Sequence, residues 1–197
     1  MLANVAIFGS KTGSAALTYA TWNPADKAAN ISLSGGDLTT TRSGAGPAAV
    51  RATIGKSSGK WYWEVKCIST TGVFDIFVGL ANTTASLTAL PGSDTNGWAL
   101  ALDDGGSYEN GFQGFASGGF IAAVNDVFGF AWDADSSTLA IYRNNTVLTP
   151  NPLFSTLTGT LFPIIATQGD TTVMTANFGA TTMAYTAPGG FNQGLYN

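Results

Sequence analysis

The feature that most constrains this chain is alternation. Trp61, Trp63, Val65 and Cys67 interleave with Tyr62, Glu64, Lys66 and Ile68. A period of two sends one set of side chains to each face of an extended backbone, so the run predicts a half-buried β-strand. Phe74, Ile76, Val78 and Leu80 repeat the pattern after a turn at Thr71-Gly72, and Trp98, Leu100 and Leu102 alternate with Ala99 and Ala101. Further strands are expected at 127–132, 139–142, 161–166 and 172–178. In 127–132 both faces are apolar, Phe128, Phe130 and Trp132 lying opposite Val127 and Ala131, which predicts a central strand covered on both sides. Apolar stripes at helical spacing are nearly absent. Asp103-Asp104-Gly105-Gly106, the tight connection 133–137 and Asn144-Asn145 punctuate the strands with residues that accept turn backbone angles. Short strands at this spacing imply an all-β sandwich or barrel.

The chain has 197 residues, 45% of them hydrophobic, enough to bury a core as one domain over 19–188, with tails at 1–18 and 189–197. Charged residues make up 10%, against about 25% in an average soluble domain. The eight Lys and Arg are scattered in a chain of net charge −4, which leaves little to neutralise a phosphate backbone and argues against nucleic-acid binding. The absence of His removes Ser-His-Asp and Cys-His catalysis, histidine zinc sites and an imidazole pH switch. Cys67 is the single cysteine, so no intrachain disulfide and no thiolate zinc cluster can form. Residues 1–10 lack a basic flank, and their apolar run is too short for a signal peptide or a membrane span, so neither secretion nor membrane insertion is expected.

Several residues bear groups capable of chemistry. Glycoside hydrolysis needs two facing carboxylates, and the only glutamates are Glu64, on a strand face, and Glu109, in a loop. The simpler reading of Glu64 is a strand carboxylate paired with Lys66 or a tyrosine hydroxyl. Asp133-Ala134-Asp135 imitates the start of a calcium loop but lacks the sixth-position glycine and the twelfth-position glutamate, so these aspartates read as turn formers and no metal site is expected. Trp61, Trp63, Trp98 and Trp132 read as core rather than as sugar-stacking platforms. Three glycine-, threonine- and serine-rich segments, 35–47, 82–97 and 105–119, read as loops that a rigid scaffold could present for binding. Tyr108, Phe112 and Phe115 fall in the last of them and are the first aromatics expected to be exposed for contact.

Longer strings carry a family pattern. Gly59-Lys60-Trp61-Tyr62-Trp63-Glu64-Val65 resembles the signature of SPRY (B30.2) domains. Phe77-Val78-Gly79-Leu80-Ala81, Gly97-Trp98-Ala99-Leu100, Tyr108-Glu109-Asn110-Gly111, the run from Asn125 to Asp133, the run from Thr138 to Asn145, and Leu161-Phe162-Pro163-Ile164-Ile165-Ala166 resemble further segments of that family in the same order. Asn125 and Asn145 stand where the family commonly has Gly, and both tolerate the turn. The stretch from Thr21 to Lys27 and the closing Ala176-Asn177-Phe178-Gly179-Ala180 are similar to bacteriophage members.

The resemblance implies a twisted antiparallel β-sandwich of the concanavalin-like, SPRY jelly-roll kind, with no catalytic activity and no cofactor, that binds a protein partner through its loops. Its partner-binding residues are then expected among Ala45, Pro47, Thr84, Leu87, Tyr108, Phe112, Phe115, Thr167, Gln168 and Gly169. The bacteriophage segments imply a virion protein made in the host cytoplasm, such as a capsid decoration, head-fibre or tail-associated component. It is expected as a homo-oligomer contacting other virion proteins or a host-surface receptor. A carbohydrate-binding adhesin is the alternative, and a glycoside hydrolase a more distant one.

Overall fold

The computed structural model describes residues 16–69, 76–168 and 172–197. Phe74, the Thr71-Gly72 turn and Gly169 lie outside these residues. The strands run β1 Trp22–Lys27, β2 Ile31–Ser34, β3 Thr39–Arg42, β4 Ala48–Ala52, β5 Lys60–Ser69, β6 Ile76–Ala81, β7 Gly97–Ala101, β8 Gly106–Glu109, β9 Phe112–Phe115, β10 Val127–Asp133, β11 Thr138–Arg143, β12 Thr146–Val147, β13 Phe162–Thr167, β14 Val173–Asn177 and β15 Asn192–Gln193. A 3-10 turn follows β9 at Ala116–Gly118.

Two sheets form an antiparallel sandwich, as the alternation implies. The first has the order β1-β4-β13-β6-β7-β8-β9, the second β12-β11-β10-β5-β14-β3-β2. The period of two decides which side chains meet between them. Trp63, Val65 and Cys67 from β5, Phe128, Phe130 and Trp132 from β10, Val78 and Leu80 from β6, and Trp98 and Leu100 from β7 join one core, in which Trp63 and Phe130 stack at 5.3 Å. Trp63, Trp98 and Trp132 are thus core residues, while Trp61 is half-buried at its margin. β10 lies between β11 and β5 and is buried along its whole length.

Each sheet also carries an apolar patch on its outer face. On the first, Ala49, Phe77, Ala99, Ala101, Ile164 and Ala166 pack with Ala85, Leu87 and Leu90 of the 82–96 loop. On the second, Tyr62 and Ala131 pack with Met183 and Phe191 of the C-terminal segment. Buried polar groups pin both covers. Arg51, on the outer side of β4, makes a two-pronged ion pair with Asp26 (2.8 Å for each bond) and donates to the carbonyls of Ala85 (2.7 Å) and Asn82 (3.3 Å). Glu64, 4% exposed, accepts from the amides of Ala184 (2.7 Å) and Tyr185 (2.8 Å) and from the Tyr62 hydroxyl (3.1 Å).

Three segments differ from expectation. The 35–47 stretch contains β3, whose Thr-Thr-Thr-Arg sequence pairs with β2 and β14, and the 105–119 stretch contains β8 and β9. These short strands lack alternation, and pairing makes them strands: β8 and β9 form a hairpin on β7, and β3 lies between adjacent β2 and distant β14. Residues 189–197, expected as a tail, fold back onto their own sandwich. β14 accompanies β5 only as far as Glu64, and β15 takes up the vacant register beside Trp61 and Tyr62 in parallel. Leu195 is buried in the core, and Tyr196 packs edge-on against Tyr19 and Trp61.

Candidate functional site

The turns that frame the sandwich use the residues their backbone requires. Asn144 and Asn145 both have positive φ, 49° and 66°, the pair of angles a two-residue hairpin turn demands, and they join β11 to β12. At one end of the molecule, Asp126 organises the entry to β10. Its carboxylate accepts from the Ala123 amide (2.8 Å), the Arg143 guanidinium (2.6 and 2.8 Å) and the Asn144 side chain (2.6 Å). Burial alone would raise this carboxyl, but the Ala123 amide, the Asn144 amide and Arg143 together hold it below the ordinary value. Asp133 behaves the same way: burial opposes ionisation, and the bonds from Lys60 and Ser136 outweigh it. Its carboxylate caps the amides of Asp135 and Ser136 (both 3.2 Å), the turn-forming role expected of it. Among the described residues no three His, Cys, Asp or Glu side chains converge as a metal cluster.

The two glutamates lie in different sheets. Glu64 is committed to the bonds that fasten the C-terminal segment, and Glu109, at the end of β8, accepts from the hydroxyl of Thr156 and from Gln113 (3.3 Å). They do not form a facing pair.

The expected contact residues separate into distinct places. Ala45 is exposed and Pro47 half-buried in the β3–β4 loop, which Arg42 holds by donating to the Gly46 carbonyl (2.5 Å). Gln168 is exposed beyond β13. Thr167 is 3% exposed, registered between Ala48 and Ile76, and its hydroxyl finds no hydrogen-bond partner among the described residues. Thr167 thus lies inside the sheet, apart from the exposed loop residues it was expected to join. Thr84 is exposed but spent on the loop's own network, bonding Asn82 and Asn96 (2.7 and 2.8 Å). Leu87 turns inward, and its carbonyl accepts from the Ala49 amide (2.9 Å).

Tyr108, Phe112 and Phe115 are brought together. Starting from the buried Phe77, the rings follow one another edge-to-face: Phe77 to Tyr108 at 5.1 Å, Tyr108 to Phe112 at 5.4 Å, Phe112 to Phe115 at 5.1 Å. A β-bulge makes this possible. Phe112 and Phe115 are three apart and in a regular strand would face opposite ways, but Ser107 pairs with Gly114 and Tyr108 with Phe112, so Gln113 is the extra residue. Both phenylalanines then share the face of Tyr108. Gly106 supplies the floor, since a Cβ there would meet the Tyr108 ring at 2.8 Å and the Phe112 ring at 3.4 Å. The succession ends in open solvent, with Phe112 54% and Phe115 50% exposed. Residue type alone could point to these rings; the bulge that aligns them depends on pairing with β8.

A sandwich with fastened outer covers and an aromatic patch left bare belongs to the class of scaffold-and-surface binding domains. The SPRY domain family matches residues 60–181, and the chain belongs to that family. Ran-binding protein 9 of Xenopus tropicalis is 31% identical over 165 residues, covering 80% of this chain and 30% of that protein. The human Ran-binding protein 9 is 30% identical over 80% of this chain and 22% of its own length. The chain thus spans less than a third of these relatives. Its fold matches the SPRY domain of human HERC1, with a TM-score of 0.65 and 15% identity over 79% of this chain and 96% of that one. It also matches the TRIM65 PSpry domain, with a TM-score of 0.63 and 17% identity over 81% and 92%. The relatives named are animal proteins and lend no support to the bacteriophage type expected from the terminal segments.

Proposed function

We propose that this chain is a non-enzymatic protein-interaction module that holds a protein partner against the outer face of its first sheet. One observation carries the reading: the edge-to-face succession that ends in Phe112 and Phe115, two phenylalanines half in water, backed by the half-buried Tyr108 and the buried Phe77. Rigid aromatic side chains give large contact area at small entropic cost, which is why such residues dominate binding energy at interfaces. Membership of the SPRY family supports the reading. The relatives' printed names describe Ran binding; for this chain the partner is proposed only as a protein.

The experiment is site-directed photocrosslinking in the native source material, with a photoreactive phenylalanine analogue at position 112 or 115 and a control at the exposed Ser57. Crosslinks from 112 and 115 to one common protein, absent from 57, are expected. The same products from all three positions would contradict the reading.

The place of action is proposed from sequence: the Thr21–Lys27 stretch and the Ala176–Ala180 stretch support a virion protein, present in several copies and touching other virion proteins or a host-surface receptor. Mass spectrometry of purified particles tests this, and absence of the chain from them would end it. Carbohydrate adhesion is the second reading, favoured by the polar groups of Gln113, Glu109 and Thr156 beside the exposed rings. Binding on a glycan array that Phe112→Ser abolishes would establish it in place of the protein partner.

A further inference from the structure

β9 is the last strand of its sheet, paired with β8 on one side and with no strand on the other among the described residues. An open edge presents a row of backbone donors and acceptors that can pair with another chain, and proteins guard it with Lys, Pro, an inward charge, a bulge or a very short strand. β9 reads Phe-Gln-Gly-Phe and carries no Lys, Pro or charge; it is short, and its bulge turns both phenylalanines to one face. Its two phenylalanines stand on one face beside the open row.

The surroundings favour one kind of occupant. From Cys67 to Tyr142 the chain has no Lys or Arg. Around β9 lie Glu109, Asp94, whose carbonyl accepts from the Asn110 amide (3.2 Å), and Asp104, whose carboxylate caps the Gly106 amide (2.6 Å). A second copy of this chain would bring the same acidic flank.

We propose that β9 accepts an extended segment of the protein partner as an added strand. That segment packs apolar side chains from one of its faces onto Phe112 and Phe115 and carries Lys or Arg at its ends. The proposal rests on the protein-interaction reading and specifies its geometry and partner chemistry. Backbone pairing holds the segment, the alternate side chains select it, and the flanking charges meet Glu109, Asp94 and Asp104.

The test uses the full chain and synthetic peptides of alternating Val and Thr: one flanked by lysines, one by glutamates, and one lysine-flanked with every second amide N-methylated. Fluorescence anisotropy reads binding, and hydrogen exchange reads protection of the β9 amides. The expected result is saturable binding of the lysine-flanked peptide with slowed exchange at 112–115, weaker by at least about tenfold for each of the other two peptides. Phe112→Ser with Phe115→Ser should weaken binding similarly while leaving the melting temperature within a few degrees, because both side chains are half-exposed. Absence of binding, equal binding of the glutamate-flanked peptide, or a peptide-free dimer that the double variant dissolves would overturn the proposal. If N-methylation changes nothing but the double variant abolishes binding, strand addition falls and the interaction surface stands. If crosslinking from 112 and 115 also finds no protein, both fall.

Discussion

At the residue scale, buried carboxylates carry more of this protein than its low charge suggests. Asp126 and Asp133 have folded-state pKa values below the ordinary carboxylate value. A depressed carboxylate contributes stability that is present above its unfolded pKa of about 3.9 and is lost as pH falls through the folded value. Urea-unfolding stability should therefore hold steady from neutrality to about pH 5 and decline below about pH 4, and Asp126→Asn should flatten that decline. At the other limit, burial, helped by the charge of Glu64, pushes the Tyr62 phenol well above its usual value. The stability it contributes is present below about pH 10 and lost as pH rises further, so Tyr62→Phe should blunt alkaline unfolding. Glu64→Ala strands two amides and a hydroxyl and should cost about 2–4 kcal/mol in chemical denaturation, since each orphaned group costs on the order of 1–3 kcal/mol and water reaches some of them. A tyrosine hydroxyl as one of two candidate partners of Glu64, and the turn role of Asp133, were legible in sequence. The amides of Ala184 and Tyr185 were not, because they arrive from about 120 residues away.

At the element scale, each sheet's outer face is closed by a segment with little regular structure, and each closure hangs on one buried charge. Arg51→Ala removes the partner of Asp26 and the donors to Asn82 and Ala85. It should cost about 2–4 kcal/mol, at or below the usual range for breaking a buried pair because Asp26 is partly exposed. Limited proteolysis should then cut first within 82–96, and cleavage elsewhere would contradict the anchoring role. The C-terminal segment is an element of the sandwich: Leu195→Ala should cost about 2–5 kcal/mol, as a core leucine does. Truncation after Pro188 should lower the melting temperature at least as much as that single change. A truncated chain that melts like the full one would show that β15 does not stabilise the sheet. The strong strands, β5, β7 and β10, were readable from alternation. β3, β8, β9 and β15 are four residues or fewer, and only pairing makes them strands.

At the scale of the whole molecule, seven of the thirteen strand pairings among the described residues join strands that are not consecutive in sequence. β1 pairs with β4, β4 with β13, β13 with β6, β14 with β3, and the last strand with β5. Non-local pairing must meet loop-closure entropy before contacts form, so refolding by stopped-flow fluorescence of the core tryptophans should take milliseconds to seconds or longer. A microsecond phase accounting for the full amplitude would contradict this.

The sequence by itself determined the strand period, the inward face of each long strand, the asparagine turns and the family. These are local properties: side chains alternate with the backbone pleat, and turn residues answer to their own φ. Tertiary structure alone decided that Thr167 is buried, that Leu87 turns inward, that the C-terminal segment fills the register β14 leaves empty, and that a bulge sets Phe112 and Phe115 on one face over Gly106. Each of those depends on which strand or segment lies alongside and in what register, and a period of two carries no information about the identity or register of the neighbour.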